Sequence, residues 1–349
     1  MPRVSILMPV HNGASFLRDA LDSLLAQSFE RFELVIVDDA SIDRTPAILA
    51  DYAARDARIR CLRNPSRQGV AVSLNRGLQA CRAALVARAD ADDVCLPDRL
   101  SRQVAYLDQH PHIGVLSCGF DRIDATGRLL RTEEPVRGPD TIRFWMMFMN
   151  CLPHSGVMFR KHLVLAAGGY DPAFWTAQDS DLWARMLPHT AMDNLPGPLV
   201  RYRVHISSMV RTRGAAGLAL SLSVPQRQLS AYLGHTVTLE EVRVAVGLFQ
   251  SFSALSAQEV RDGARLLARV DRIAARREPE ALITAYRTQI VGSLLKQARR
   301  SRKTTTAVRH CLSALTWQPN KATLQRAVWL LAKRRDAAAP LRAPMQSSG

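Results

Sequence analysis

The sequence predicts an α/β fold: a mostly parallel sheet flanked by helices, followed by a basic α-helical region. Three observations carry this reading. Apolar, β-rich runs alternate with helical periodicities through the first hundred residues. Polar and acidic residues gather just after those runs, where open parallel sheets bind their ligands. The charge is also unevenly spread. The chain has 349 residues and a net charge of +16. Residues 1–210 hold 24 Lys and Arg against 23 Asp and Glu, whereas residues 211–349 hold 23 against 8. The simplest division is an α/β domain over 1–210 and a strongly basic helical region over 211–349.

Each element follows in order. Residues 4–10 form an apolar run closed by His11 and Asn12, a first strand. From Ala14 to Gln27, the residues Phe16, Leu17, Ala20, Leu21, Leu24 and Leu25 recur at helical spacing. Glu33 to Val37 is a continuous β-rich run, as expected of a strand buried on both faces, and it ends at Asp38-Asp39. Thr45 followed by Pro46 reads as an N-cap with proline at the first helical position, opening a helix to Arg55. Residues 59–63 give a third strand, 70–81 a helix, 85–89 a fourth strand and 97–109 a proline-started helix. Asp90-Ala91-Asp92-Asp93 follows the fourth strand. Further along, Leu239 to Leu255 reads as a packing helix, and 307–315 and 324–332 as two short amphipathic helices around Trp317. The Ala- and Pro-rich end, 335–349, reads as disordered.

Composition excludes several classes. No run reaches the roughly 18 apolar residues of a spanning helix. The first ten residues lack a small-residue cleavage site. The six cysteines are scattered with no CxxC pair, which argues for reduced thiols and a cytoplasmic protein over disulfides or zinc. No GxSxG, HExxH, P-loop or GxGxxG sequence occurs. Two acidic clusters closing parallel strands would converge on one crevice and repel each other unless a cation sits between them. Mg²⁺ and Mn²⁺ take such carboxylates together with substrate phosphates. The residues alone point to a metal–diphosphate site.

The chain resembles the family 2 glycosyltransferases of the GT-A fold, a Rossmann-like architecture, from Val4 to about Ser208. The matching pieces are Met8 to Asn12, Val37 to Ser41 with Asp43, Gly69 with Asn75 to Gly77, and Ala87 to Asp93. Next come Leu96 to Leu100 with Gln103, His154 to Arg160, and Gly168 to Asp171. The last are Gln178 to Trp183 and Tyr202 to His205. All of them occur in the family's order.

The resemblance implies an inverting, metal-dependent transferase of cell-surface polysaccharide synthesis. Its donor is a nucleotide-diphosphate sugar, expected to be a UDP-sugar, and its acceptor a glycan or a lipid-linked sugar. Pro9, His11 and Asn12 would line the nucleotide pocket, with His11 where many relatives carry Tyr. Asp39 would accept a hydrogen bond from the uracil, and Asp38 would support that loop. Asp90 and Asp92 match the Asp-x-Asp motif, with Asp90 also on the nucleotide and Asp92 in direct contact with Mn²⁺ or Mg²⁺. His205 matches a histidine that completes the metal or diphosphate site. Asp179 matches the catalytic base. Gln178 departs from the pattern, since relatives carry an acidic residue there; Asp181 is a substitute base, though the family pattern places it as a structural support beside Trp183.

Two other classes fit less. A nucleotidyltransferase would need a Gly-rich loop after the first strand, and none is present. A nucleic-acid-binding protein would account for the basic end but not for the charge-balanced, acid-lined first part. Residues 281–349 hold 13 Lys and Arg and one acidic residue, Asp336. Trp317 and Trp329 there suggest two anchors of a peripheral helical pair on an anionic membrane, at the inner face of the plasma membrane. Nucleic acid is not expected as a partner.

Overall fold

The computed structural model describes residues 1–205, 214–251, 255–301 and 304–338. The chain begins β1 (Val4–Val10), α1 (Leu17–Leu25), β2 (Phe32–Asp38), α2 (Thr45–Arg55), β3 (Ile59–Arg63), α3 (Val70–Ala80) and β4 (Leu85–Arg88). It continues through β5 (Val94–Cys95), α4 (Arg99–Gln109), β6 (Ile113–Ile123), β7 (Leu129–Glu133), α5 (Pro139–Trp145) and β8 (Met158–Arg160). The α6 (Lys161–Ala166) and α7 (Gln178–Met186) helices lead to β9 (Ala191–Arg203). Six helices follow: α8 (Gly214–Leu233), α9 (Leu239–Gln250), α10 (Ala257–Arg277), α11 (Glu280–Arg300), α12 (Thr304–Trp317) and α13 (Lys321–Ala338).

The chain forms two compact units, Met1–Val224 and Pro225–Gly349. The division falls inside α8 at Pro225, where proline removes a backbone donor. The expected boundary at 210/211 lies outside the described residues.

The first unit holds one sheet in the order β3-β2-β1-β4-β8-β6-β9-β5, with β7 paired to β6. The strands β3, β2, β1 and β4 run parallel, as do β6 and β9, while β8 is antiparallel to both of its neighbours. All seven residues of β2 are buried, because alternate side chains feed two cores. Ile6 and Met8 pack with Leu17 and Leu21 of α1 on one face, and Leu7 and Val35 pack with Leu74 and Leu78 of α3 on the other.

Gly77 lets α3 sit this close. A Cβ there would lie 2.2 Å from Leu7 Cδ1 and 2.9 Å from Val37 Cγ2. Gly77→Ala should therefore destabilise the protein by about 2 kcal/mol despite alanine's better helix propensity. On that scale Tm falls by roughly 4–8 °C in thermal denaturation followed by circular dichroism, and an unchanged Tm would mean that α3 shifts freely.

Three boundaries differ from the sequence expectation. Thr45 is the first residue of α2 rather than its cap: it is fully buried, its Oγ1 accepts the Gly13 N–H at 2.9 Å, and Asp43 Oδ1 accepts the Thr45 N–H at 2.9 Å. The helix expected from Pro97 starts at Arg99. Arg99, 0% exposed, turns inward to donate to the carbonyls of Arg88 and Val157, and so fastens α4 beneath the end of β4. The end expected to be disordered is helical as far as Ala338, since its alanines are the best helix formers. Residues 339–349 lie outside the described residues.

In the second unit α9 and α10 each open with a capping box, Thr238 with Glu241 and Ser256 with Glu259. The helix expected to reach Leu255 stops at Gln250, before residues 252–254, which are not described. The short helices expected near 307 and 324 are longer, spanning all of α12 and α13. Trp317 is not a surface anchor: its ring packs edge-on against the fully buried Tyr286 of α11, with centroids 6.2 Å apart.

Candidate active site

The strands β2, β1 and β4 are adjacent and parallel, so the polar residues that follow them meet on one edge of the sheet. After β1 the backbone of Asn12 turns left-handed, with φ 51°, a conformation asparagine tolerates better than most side chains. Its N–H donates to Ser41 Oγ and its Oδ1 accepts the Ile42 N–H, each at 2.9 Å. His11 Nδ1 lies 2.7 Å from the Asp39 carbonyl oxygen. An N–H on Nδ1 makes that bond, and Nε2 is then the acceptor for Asn12 Nδ2 at 3.2 Å. Pro9, near the end of β1, pairs with Val37. Asp38 is buried, accepts the Ser41 N–H at 2.9 Å and faces Arg63 at 3.5 Å.

Asp39 points into its own loop. Its Oδ1 accepts from Asn64 Nδ2 at 2.6 Å and from the Gln68 N–H at 2.8 Å, and its Oδ2 accepts the Gly69 N–H at 2.8 Å. Burial raises its pKa, but these donors outweigh burial and hold the carboxyl below its ordinary value. The Ser73 hydroxyl lowers it further.

After β4, the ligand oxygens of Asp90, Asp92 and Asp93 all lie within 4.8 Å of one another. Arg88, only 4% exposed, forms an ion pair with Asp90. Burial lowers the guanidinium pKa, but the Asp90 charge outweighs it and raises the value overall. Asp92 Oδ2 lies 2.9 Å from His205 Nε2. Asp93 is buried and accepts the Arg203 N–H at 2.8 Å. Burial first, and then the Asp90 charge, push the carboxyls of Asp92 and Asp93 above their ordinary values, Asp93 the further. Three carboxylates this close carry more negative charge than Arg88 balances. An all-oxygen donor set of this kind fits Mg²⁺ or Mn²⁺.

β9 brings in the far side of the cluster. Arg203, 3% exposed, donates from Nε to the Asp92 carbonyl at 2.9 Å and pairs with Asp19 at 3.0 Å. Its guanidinium lies 4.7 Å from the Phe16 ring centre, and the His205 ring is 4.9 Å from the same ring.

Ala177, left-handed at φ 57°, turns the chain into α7. Asp179 lies in the first turn of α7. Its Oδ2 accepts from Asn150 Nδ2 and its Oδ1 from the Ser180 N–H, each at 2.8 Å. Asp181 is 1% exposed and paired to Arg185 at 2.8 Å, and Arg185 also donates to the Gly169 carbonyl. Asp181 therefore fastens α7 to the preceding loop. Gln178 is buried. Tyr170 links the two acidic regions. Burial pushes its phenol pKa up, the charges of Asp179 and Asp90 push it further, and Arg88 opposes them. His154 Nε2 is 3.0 Å from the Tyr170 hydroxyl, and burial with the nearby Arg88 holds the imidazole neutral, its pKa well below the ordinary value.

The profile of the family described as Glycosyl transferase family 2 matches residues 5–165. The O-antigen biosynthesis glycosyltransferase WbnJ of Escherichia coli is 31% identical over 209 residues, 59% of this chain and 81% of that protein. The chain belongs to glycosyl transferase family 2. The amylovoran biosynthesis glycosyltransferase AmsE of Erwinia amylovora is 29% identical over 214 residues, 60% of this chain and 79% of that protein. Among solved structures, S. aureus TarS 1-349 in complex with UDP-GlcNAc aligns with TM-score 0.56 at 15% identity, over 86% of this chain and 92% of that one. The mannosyltransferase PcManGT of Pyrobaculum calidifontis, in complex with GDP-Man and Mn²⁺, aligns with TM-score 0.53 at 17% identity, over 90% and 87%. The fold of this family 2 glycosyltransferase is GT-A.

Asn64 and Asn150 of this candidate site lay outside the sequence reading, while Arg88, His154 and Arg203 fell within matched motifs but were given no role there. Arg88 and Arg203 each stand two residues from an expected site residue, and a basic residue in a buried strand end beside an acidic motif is a readable signal. Asn64 and Asn150 lie in stretches with no periodicity, and only folding brings them to Asp39 and Asp179.

Proposed function

We propose that this chain is an inverting, metal-dependent glycosyltransferase acting on a UDP-sugar. It passes the sugar to a hydroxyl of a glycan or lipid-linked acceptor in cell-surface polysaccharide synthesis. The observation that carries this reading is the cluster of Asp90, Asp92 and Asp93 with His205, on the same sheet edge as Asp39 and His11. Relatives named for O-antigen and amylovoran biosynthesis support the polysaccharide assignment, and the TarS complex with UDP-GlcNAc supports the donor.

Pro9, His11 and Asn12 frame the base, and Asp39 accepts a hydrogen bond from it. Asp38 holds the loop through Ser41. Asp92, Asp90 and His205 would hold Mg²⁺ or Mn²⁺, which when bound neutralises charge on the departing diphosphate. Asp90, paired to Arg88, also faces the nucleotide. Asp179 is the general base: Asn150 and the Ser180 N–H aim its carboxylate, which takes the proton of the acceptor hydroxyl as that oxygen attacks the anomeric carbon. Attack opposite the leaving diphosphate inverts the centre in one displacement. Gln178 puts a neutral amide beside Asp179 where relatives carry an acidic residue. Residues 281–349 hold the enzyme on an anionic membrane surface at the inner face of the plasma membrane. Among the described residues no helix is long and apolar enough to cross a membrane.

The test is a donor screen for nucleotide-sugar hydrolysis in Mn²⁺. A UDP-sugar should be cleaved to UDP. Cleavage of a GDP-sugar alone would overturn the base assignment, and no cleavage of any donor would overturn the transferase reading.

A further inference from the structure

The second unit ends in a helical hairpin whose two faces differ. Three residues, 318–320, join α12 to α13, and a connection this short makes the helices antiparallel neighbours. Their seam is fixed by Cys311 and Ala327, both buried, with Cys311 Sγ 4.0 Å from the Ala327 carbonyl oxygen. One residue onward turns a helix by about 100°. In antiparallel helices these turns run in opposite senses when viewed down one axis. Leu312 and Val328, one residue past the seam on each helix, therefore emerge on the same face. Leu324, one turn before Val328, shares it.

These three side chains are 57%, 57% and 50% exposed. The opposite face is the packed one: Ala307, His310 and Ala314 are buried there, and Trp317 meets Tyr286 of α11. At the outer flanks stand Trp329, 55% exposed, and the exposed Arg309.

Charge selects the occupant. Between Glu280 and Asp336 there is no acidic residue, while residues 281–335 hold 12 Lys and Arg. A second copy of this chain would bring the same positive charge against it. A nucleic acid would satisfy the charge but leave three aliphatic side chains in water. An anionic bilayer takes both, with basic residues at the headgroups, aliphatic chains among the acyl tails and tryptophan at the boundary.

We propose that the Leu312–Leu324–Val328 face of the α12–α13 hairpin lies in the interface of an anionic lipid bilayer, with Trp329 and Arg309 at its rim. The inference rests on the proposed membrane association of residues 281–349, and adds the face that makes the contact.

The experiment is flotation of the full chain with vesicles of phosphatidylglycerol and phosphatidylcholine, against vesicles of phosphatidylcholine alone. The native chain should float only with the anionic vesicles and be released by high salt. The double variant Leu324→Ser/Val328→Ser changes two exposed positions, so it should keep the native circular dichroism and donor hydrolysis while its bound fraction falls at least tenfold. The blue shift of tryptophan fluorescence on vesicle addition should disappear in Trp329→Phe. Undiminished flotation of the double variant would overturn this face while leaving the membrane reading intact. A native chain that stays behind with anionic vesicles would overturn both. A vesicle-free dimer that the double variant abolishes would make the face a subunit contact and overturn the proposal.

Discussion

Asp179→Asn should reduce sugar transfer by about 10²–10⁴-fold, the usual worth of a positioned general base, while UDP affinity changes by less than about twofold. The substitution keeps the shape of the side chain. The carbonyl oxygen of the introduced amide can still accept from the Ser180 N–H or from Asn150, but not from both, so positioning loosens only slightly. The amide cannot take a proton at neutral pH. Loss in kcat with little change in nucleotide binding is the pattern of an interaction made only as the acceptor reacts. Transfer rates and UDP titrations on the same preparation check it. Turnover near the native rate would remove Asp179 from the role. Asp181 could not readily inherit it, being 1% exposed and paired to Arg185.

Removal of divalent metal should abolish activity, and Mn²⁺ or Mg²⁺ should restore it. Asp92→Ala should lose both metal-dependent UDP binding and at least about 10²-fold in rate, several kcal/mol of charge stabilisation being at stake. His205→Ala should lose about 10–100-fold. A second readout separates this from general damage. Burial and Asp90 push the Asp92 carboxyl above its ordinary value, so in the metal-free protein its charge opposes folding. Metal-free Asp92→Ala should melt no lower than the native chain. Full activity in excess chelator, or a variant that simply unfolds, would contradict this role.

Much of the first unit was legible because its strands are buried on both faces. Runs such as Leu34 to Val37 leave little ambiguity, and the acidic residues mark their ends. The residues after β1, β2 and β4 were legible too, since His11, Asp39 and Asp90 each close a strand. The surroundings of Asp179 were less readable. Asp179 came from resemblance, and its partner Asn150 sits in a loop of residues 146–153 whose conformation is set by tertiary contacts. Helix starts erred where a side chain had a better use than capping. Thr45 serves Gly13 across the site loop, and Arg99 reaches two carbonyls under β4. In the basic region, periodicity placed α12 and α13 but gave Trp317 the wrong side, because an amphipathic stripe does not say which of its large residues meets the neighbouring helix.

The order in which the chain leaves the ribosome bears on β9. Asp93 and the backbone N–H that it accepts, that of Arg203, are 110 residues apart, and His205 comes later still. At about 5–20 residues per second, synthesis takes roughly 5–20 s to cross that interval. During that time the three carboxylates after β4 have neither Arg203 nor His205 beside them. β9 then has to settle between β6 and β5, a long-range pairing of the slow kind. Arg88 precedes the cluster, but Arg203 and His205 are thus among its last partners in the first unit to be made. The nascent chain can present a nearly complete sheet well before it can present a working site.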